Sequence, residues 1–397
     1  MKLLAPLLFF GNAVAIFWIW LAGDHSNFFI SAGRLLGLSA FYLILWQLLL
    51  IGRIGWIEKV WGHDRLSRWH HKNGIVAWSL LLVHPWLMLI GYGSLHMLLE
   101  LPWIIWAIVA YGMFMIIVPI SFTIVKKKLR YEIWYGIHFL LYGAILAVFW
   151  HQLYNGADLQ APAARLYWQI LFYATLINVL WYRFIKPSIV SWRQDFRITR
   201  ITRETHDVVS IYISGNLPFQ PGQFVIVRFL AKGFWYESHP FTLSDVTRYT
   251  LRVTHKAVGD YTSKLPNLPI GTKVIIEGPL GRFNADRAGS KPVLLIAGGI
   301  GVTPLRALFE KIPDAKFIYA ARSDNDFALR DELDKIGKVF YTIERLTPEF
   351  IKHVAPDVAT RFIFLCGPPP MMKAVTEMLL SLGVQKDIIL YEKFELG

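Results

Sequence analysis

Four histidines, His70, His84, His138 and His151, stand in apolar stretches that carry few charges. Unpaired polar groups in such surroundings are costly, so each of them asks for a reason. His70 and His84 bound the stretch "HHKNGIVAWSLLLVH" and are fourteen residues apart. On a helix that spacing falls about 40° short of four turns and spans roughly 20 Å, so both rings share a face. His138 and His151 are thirteen residues apart. In a straight helix that leaves them about 140° short of a common face, and local tightening is needed to align them. Neutral imidazoles facing each other at two depths can clamp a haem iron from both sides. His70 with His138 and His84 with His151 are the expected pairs. His71 is the alternative to His70, which is preferred for its spacing and for Gly74, a small residue that leaves room for a flat macrocycle. The competing readings are interhelical hydrogen bonds, a proton path, or a metal-ion channel.

The elements that must position these rings are membrane helices. Six apolar segments suit bilayer spans of about 20 residues: Leu3–Leu21, Phe28–Ile51, His71–Gly91, Leu101–Val125, Tyr131–Trp150 and Leu166–Ile185. The first lacks a small-residue cleavage site and reads as a helix rather than a signal peptide. Basic residues gather at Arg53, Lys59, Arg65, Arg68 and Lys72, again at Lys126, Lys127, Lys128 and Arg130, and at Arg183, Lys186 and Arg193. The alternate loops, "GDHSNFF" and "QLYNGADLQAPAA", are nearly free of them. The positive-inside bias therefore places both termini and the polar half in the cytoplasm of a plasma or inner membrane, and makes the third and fifth spans parallel. Arg34, a little inside the outer end of the second span, wants an anion: a haem propionate or a superoxide-like charge. It equally suits a snorkelling side chain.

Composition narrows the rest. A single cysteine, Cys366, excludes a disulfide framework, a four-cysteine zinc site and a cysteine-ligated iron–sulfur cluster. The net charge of +13 is scattered, without the focused basic arm of a nucleic-acid binder. From Arg193 the chain reads as a soluble protein. "FRITRITRETHDVVSIYISG", "PGQFVIVRFL", "YTLRVTHKA" and "GTKVIIEGPLG" alternate as antiparallel strands, as in a small β-barrel. "ESHPFTLSD" offers His239, Pro240, Phe241 and Thr242 at a strand edge. "THKAVGDYTSKL" turns at Gly259 and is expected to open a helix at Thr262 whose free N–H groups suit a pyrophosphate.

Strand–helix alternation begins at Lys291. "KPVLLIAGGIGVTPLRALFEKI" is a buried strand, a glycine turn and a helix, with Gly298, Gly299 and Gly301 letting backbone approach phosphates. No acidic residue ends the second strand; Arg322 stands there, suited to the 2′-phosphate of NADPH or to a plain surface role. Cys366 ends the last such strand, where a small buried hydrophobe also fits.

"HPFTLS", "AGGIGVTP" and "CGPPPMM", in that order, resemble a flavin dehydrogenase of the ferredoxin–NADP reductase type. Behind a bis-histidine membrane domain, the chain resembles the NADPH oxidase and ferric reductase superfamily in compact bacterial form. The resemblance implies three domains. A six-helix transmembrane haem bundle spans 1–188. An antiparallel β-barrel FAD domain spans 192–286, and an α/β Rossmann-like nucleotide domain spans 290–397. It implies that His239, Pro240, Phe241 and Thr242 cradle the flavin, and that His255, Lys256, Gly259, Tyr261 and Thr262 hold the rest of the FAD. Gly298, Gly299, Gly301, Thr303 and Pro304 take the phosphates of the nicotinamide cofactor. Cys366, Gly367 and Pro368 lie beside its ring, and Phe394, with Tyr391 as rival, stacks on the isoalloxazine. The flavin motif here begins with histidine where many such dehydrogenases have arginine. No EF-hand loop precedes the membrane part, so calcium gating is not expected.

The function expected is electron transfer from cytosolic NADPH, with NADH as alternative, through FAD and two b-type haems. The outer acceptor is dioxygen, giving superoxide, or else a ferric chelate. The outer loops are short, which tips the balance towards oxygen. Membrane lipid is the expected surround, and no nucleic acid or obligate protein partner is expected. The rival classes are a haem-binding or proton-conducting membrane protein with a regulatory tail, and a membrane subunit serving a separate periplasmic reductase.

Overall fold

The computed structural model describes residues 3–122, 129, 131–246, 249–312 and 314–392. Contacts divide the chain into two units, 1–184 and 185–397.

The first unit is helical. Its elements are α1 (Leu4–Leu21), α2 (Phe28–Ile51), α3 (Gly55–Trp61), α4 (His63–Tyr92), α5 (Leu95–Leu99), α6 (Ile104–Ile120), α7 (Tyr131–Phe139), α8 (Leu141–Asn155) and α9 (Pro162–Leu180). Asn27 starts α2 by accepting the Ile30 N–H on its side chain. Helix α2 is the central post: α1, α4 and α9 all pack on it. The core is aromatic, with Phe149 and Phe172 stacked at 3.7 Å and Phe41 beside Trp168 at 5.8 Å. Large apolar side chains elsewhere on these helices, such as Phe10, Trp86, Ile116 and Ile170, face outward, as a lipid-contacting surface does.

Helices stand at all six segments expected to span; among the described residues four are long and apolar enough to cross a membrane: Leu4–Leu21, Phe28–Ile51, Arg65–Tyr92 and Ile133–Asn155. Helix α6 has 17 residues, because Trp103 at φ 63° ends helical geometry on its N-terminal side. Helix α9 is long enough, but Arg165, Gln169 and Asn178 dilute its hydropathy. The basic run Lys126, Lys127, Lys128 and Arg130 lies outside the described residues.

The second unit begins with α10 (Lys186–Gln194) and then carries β1 (Ile198–Arg203), β2 (Val208–Ser214), β3 (Phe224–Phe229), β4 (His239–Val246), β5 (Thr250–Lys256) and β6 (Val274–Leu280). These six pair antiparallel in the order β1-β2-β5-β4-β3-β6. The expected barrel does not close as a ladder. Its edge strands meet at one isolated bridge, Arg197–Lys273. Inward-facing Val209, Ile211, Val225, Val227, Leu243, Leu251 and Val253 make the core of this sheet, the period-2 pattern read from the sequence.

The remaining elements are β7 (Val293–Gly298), α11 (Val302–Lys311), β8 (Lys316–Ala320), α12 (Arg330–Ile336), β9 (Val339–Thr342), α13 (Pro348–Val354), β10 (Phe362–Cys366), α14 (Pro369–Ser381) and β11 (Ile389–Glu392). The strands form a parallel sheet in the order β11-β10-β7-β8-β9. Continuous apolar runs such as Val293–Ile296 are buried on both faces, as parallel sheets require. Helix α11 packs on β7 and also against β4, so the two sheets share one helix.

Candidate functional site

Helix α4 carries His70 and His84 on one uninterrupted helix. The His70 and His138 rings lie 6.2 Å apart between centroids, at 68° to each other. Two metal–imidazole bonds of about 2 Å plus the two ring radii fill that span. His71 is exposed, so His70 is the ring that meets the opposite helix. The Nδ1 of His70 lies 3.1 Å from the Gln47 carbonyl, and that of His84 lies 2.7 Å from the Gly33 carbonyl. A carbonyl only accepts, so both rings carry their proton on Nδ1 and keep the Nε2 lone pair for a metal. At His138 the Nδ1 lies 3.0 Å from Ser121 Oγ. That hydroxyl donates to the Ile117 carbonyl and accepts the Trp134 indole N–H, so it accepts from His138 as well. The amide of Asn155 lies 3.0 Å from His151 Nδ1. His84 and His151 lie close enough to interact electrostatically.

The tightening that the thirteen-residue spacing demands is present. The helix breaks at Leu140, where Leu140 N–H donates to Ile137 and Gly143 N–H donates to Leu140, both i to i+3. Such bonds wind the chain at three residues per turn and recover part of the missing rotation. Gly37 lets α2 lie against His84; a Cβ there would stand 3.0 Å from the imidazole. At Gly74 a Cβ would strike the end of the Gln47 side chain, so its smallness lets α2 and α4 approach there. Gln47 and Ser121 were not readable in the sequence, because they meet the rings only through tertiary packing; Asn155, four residues after His151 on the same helix, could have been found from helical spacing.

Arg34 has an anion within the chain. Its Nε lies 3.3 Å from the buried carboxylate of Asp158, and its Nη2 donates to the Asp24 carbonyl. Asp158 Oδ1 has no hydrogen-bond partner and Gly23 lies against it. This pair joins helix α2 to the segment after α8.

In the second unit, β4 and β5 present the flavin-motif residues. His239 and Pro240 are half-buried, whereas Phe241 and Thr242 are buried. The Nε2 of His239 lies 2.9 Å from Glu237, and its ring stacks on Tyr261 at 3.9 Å. Glu237, two residues before the motif, was not singled out from sequence; an acid at that offset on the same strand edge was the available signal. His255 is buried with both ring nitrogens unpartnered, and the Tyr261 hydroxyl and Arg228 Nε are buried and unpartnered too. Burial pushes the His255 imidazole down to about 4, against a smaller upward pull from Thr262, and burial raises Tyr261 above the usual phenol range. Arg228 and Glu237 both act electrostatically on Tyr261, so these groups cluster. Several polar atoms orphaned in one place fit a bound polar cofactor such as FAD. Lys256 reaches Asp207 at 2.8 Å. The helix expected at Thr262 is absent. Residues 259–264 form turns, and the Thr262 hydroxyl accepts the N–H groups of Val258 and Gly259. A short 3₁₀ turn follows at Leu265–Asn267.

Gly298, Gly299 and Gly301 lie at the C-terminal end of β7 and lead into α11. A Cβ on Gly301 would collide with the Cys366 carbonyl, and Gly299 has φ +52°. Gly367 stands against Gly298, so two strand ends meet backbone to backbone. Such a bare edge at the end of a parallel sheet fits the pyrophosphate of a nicotinamide cofactor. Thr303 and Pro304 are buried, and the Thr303 hydroxyl donates to the Ile300 carbonyl. Pro368 and Arg322 are exposed. The Cys366 thiol is fully buried, 3.6 Å from the Glu392 carbonyl, and burial raises its pKa. Tyr391 is exposed on β11, and Phe394 lies outside the described residues.

Three family models match consecutive parts of the chain. They are the ferric reductase like transmembrane component over 36–149, an FAD-binding domain over 193–284, and an oxidoreductase NAD-binding domain over 295–377. Among curated proteins, the chain is 29% identical over 225 residues to a glycine betaine monooxygenase reductase subunit of Chromohalobacter salexigens, covering 48% of this chain and 61% of that one. It is 31% identical over 244 residues to a flavohemoprotein of Rhodopirellula baltica, covering 50% and 60%. The chain thus spans about three fifths of the length of the curated relatives it matches. Among solved structures, the FAD/NAD-binding domain of a nitric oxide dioxygenase from Vibrio cholerae aligns with a TM-score of 0.45 at 23% identity, covering 50% of this chain and 97% of that domain.

Proposed function

Because this chain has the ferric reductase and NADPH oxidase type of architecture and is an NAD(P)H oxidoreductase that moves electrons through FAD and a transmembrane component, we propose that it carries them from cytosolic NADPH to dioxygen on the outer face, by way of two haems held by His70 with His138 and His84 with His151. The observation that carries this reading is the His70–His138 pair, 6.2 Å apart, with a carbonyl and a hydroxyl already occupying the Nδ1 atoms.

FAD and the haems supply what no side chain can, which is splitting a two-electron donor into single electrons and relaying them across lipid. The chain's own residues do the rest. Carbonyl oxygens at Gln47 and Gly33 hold two imidazoles in the ligating tautomer. Trp134 stacks on His138 at 5.5 Å and steadies its ring. Were haems held between these histidine pairs, His70 with His138 and His84 with His151 would leave the iron no free position, and the group would supply one-electron transfer without binding the acceptor. Basic residues at Arg53, Lys59, Arg65, Arg68 and Lys72 favour a cytosolic side for the dehydrogenase unit. In that unit, His239, His255 and Tyr261 bind and orient the flavin cofactor, and the glycine edge at Gly298–Gly301 admits the phosphates of NADPH. Arg322 discriminates for the 2′-phosphate by its charge. The match to a ferric reductase-like component favours a second reading, a ferric chelate as acceptor over the same route.

The test is an anaerobic NADPH titration of the full chain, purified with haem supplied during expression and followed by visible spectroscopy. A Soret peak that shifts on reduction and reverts on admitting air is expected. His84→Ala with His151→Ala should halve the haem content and leave the other half reducible. A wild-type chain without haem absorbance, or a double variant with unaltered haem content, would overturn the proposal.

A further inference from the structure

A cluster of charges joins the two sheets of the second unit. Arg252 on β5 has a side chain only 2% exposed, and its guanidinium grips Glu332 of α12 with two bonds, 2.5 and 2.8 Å long. Its Nε donates to Ser244 Oγ at 3.0 Å and its Nη1 to the Tyr212 hydroxyl at 3.4 Å, so three groups fix its plane. Glu332 also takes Arg306 of α11 at 3.2 Å. Arg306 in turn reaches back across the seam to Asp245 on β4 at 3.3 Å and to the Ser244 carbonyl at 3.4 Å, and holds Glu310 at 2.6 Å on its own helix. Behind Arg252, the hydroxyls of Ser244, Thr254 and Ser210 form a chain with 2.8 Å links.

Both sides of this seam carry the cofactor machinery. Strand β4 begins with His239–Thr242, and Asp245 lies three residues beyond Thr242. Helix α11 begins directly after Gly301, and Arg306 lies five residues further on. The arginines therefore sit on the very elements that present the two cofactors. A buried ion cluster adds little net stability, because desolvation offsets most of the attraction. Bidentate guanidinium–carboxylate geometry does fix angle and distance. Its value here is register.

We propose that Glu332 is a positioning residue: shared between Arg252 and Arg306, it locks the nucleotide sheet at one setting against the flavin sheet and so holds the nicotinamide within hydride-transfer distance. The step it serves is balanced. The nicotinamide C–H bond breaks, hydrogen and its electron pair pass together to the flavin, and oxidised nicotinamide leaves. The proposal rests on the NADPH-to-FAD part of the reading above and needs neither the haems nor the acceptor. A misplacement of 1 Å in a reacting pair can cost about 100-fold.

The test uses the full chain in detergent with two readouts. Because its only cysteine, Cys366, is fully buried, an Arg203→Cys, Glu377→Cys chain takes spin labels on an exposed site of β1 and one of α14, the helix whose Met372, Val375 and Leu379 pack in the core of the nucleotide sheet. Pulsed electron spin resonance then gives the distribution of distances across the seam. Anaerobic stopped-flow bleaching of the flavin by NADPH gives the hydride-transfer rate. Glu332→Ala is expected to broaden the distance distribution and to slow bleaching by about 10- to 100-fold, with bound FAD and the KM for NADPH little changed. Glu332→Gln, which keeps the shape and loses the charge, should fall between. Should the alanine chain lose its flavin, the glutamine chain decides. A Glu332→Gln chain with a narrow distribution and the wild-type bleaching rate overturns the proposal. No bleaching in the wild type would instead refute the NADPH-to-FAD reading, while the distance measurement still tests the lock.

Discussion

A neutral imidazole has one N–H and one lone pair, so whichever partner takes the first decides what the second can do. This separates the histidines of the two units. His70 and His84 give their Nδ1 protons to backbone carbonyls, which prepares Nε2 as a ligand. The His255 ring is buried, and only a smaller pull from the Thr262 backbone opposes that burial. Its basicity falls from 6.5 to about 4 through burial. The unfolded chain therefore takes up a proton below about pH 6.5 that the folded chain refuses until about pH 4. Stability contributed by the neutral ring is full above pH 6.5, declines as pH falls through that window, and is lost below it. At about 1.4 kcal/mol per pH unit, the decline is at most about 3 kcal/mol. Unfolding of the dehydrogenase unit, followed by flavin release on heating, should shift to lower temperature between pH 6.5 and 4.5. His255→Phe should flatten that dependence. An equally steep wild-type and variant curve would assign the acid sensitivity to other groups. His255 was legible in the sequence only as part of a motif. Its missing partners became visible only with the fold, because they depend on strands brought together from distant parts of the chain, whereas Glu237, two residues before His239, was a local signal.

Elements carry a second kind of information, which is phase. The fourteen-residue spacing of His70 and His84 needs nothing beyond a regular helix, and α4 is regular across it. The thirteen-residue spacing of His138 and His151 is out of phase, and the i to i+3 bonds at Leu140 repair part of the error. Phase and its defect were legible because helix geometry is local. Local patterns equally showed the antiparallel character of the alternating strands and the strand–helix half, whereas the six-strand order came with the structure. What failed was what depends on context. Six apolar stretches could be counted, but Trp103 shortens α6 and polar residues thin α9, so that among the described residues four have spanning length and hydropathy. Thr262 was expected to open a helix, yet its hydroxyl closes a turn on Val258 and Gly259. Sheet closure depends on edges meeting at long range, and alternation does not report that. The phase argument gives a prediction. Inserting one alanine after Leu140 rotates everything beyond it by about 100° relative to His138. Haem content should fall from two to one per chain while the protein still enters the membrane. Retention of two haems would show that the break absorbs rotation freely and that the spacing carries no constraint.

At the scale of the whole molecule, the question is where electrons leave. The segments that positive-inside bias places outside are short: residues 22–27, 93–103 and 156–161. Arg34, near one of these ends, is engaged by Asp158 and the Asp24 carbonyl. A large anionic ferric chelate would have to displace a buried carboxylate to reach that guanidinium, and parting a buried pair costs about 3–5 kcal/mol. Dioxygen is small and neutral and needs no such displacement. The proposed preference for oxygen can be measured on one preparation. Under air, NADPH consumption by the full chain should be accompanied by cytochrome c reduction that superoxide dismutase suppresses. Adding a ferric chelate should change the rate less than twofold. Asp158→Asn, which frees Arg34 for an outside anion, should raise chelate reduction relative to superoxide formation. Chelate-dependent turnover that dominates in the wild type, with dismutase without effect, would make the protein a metal reductase and leave the histidine ladder standing.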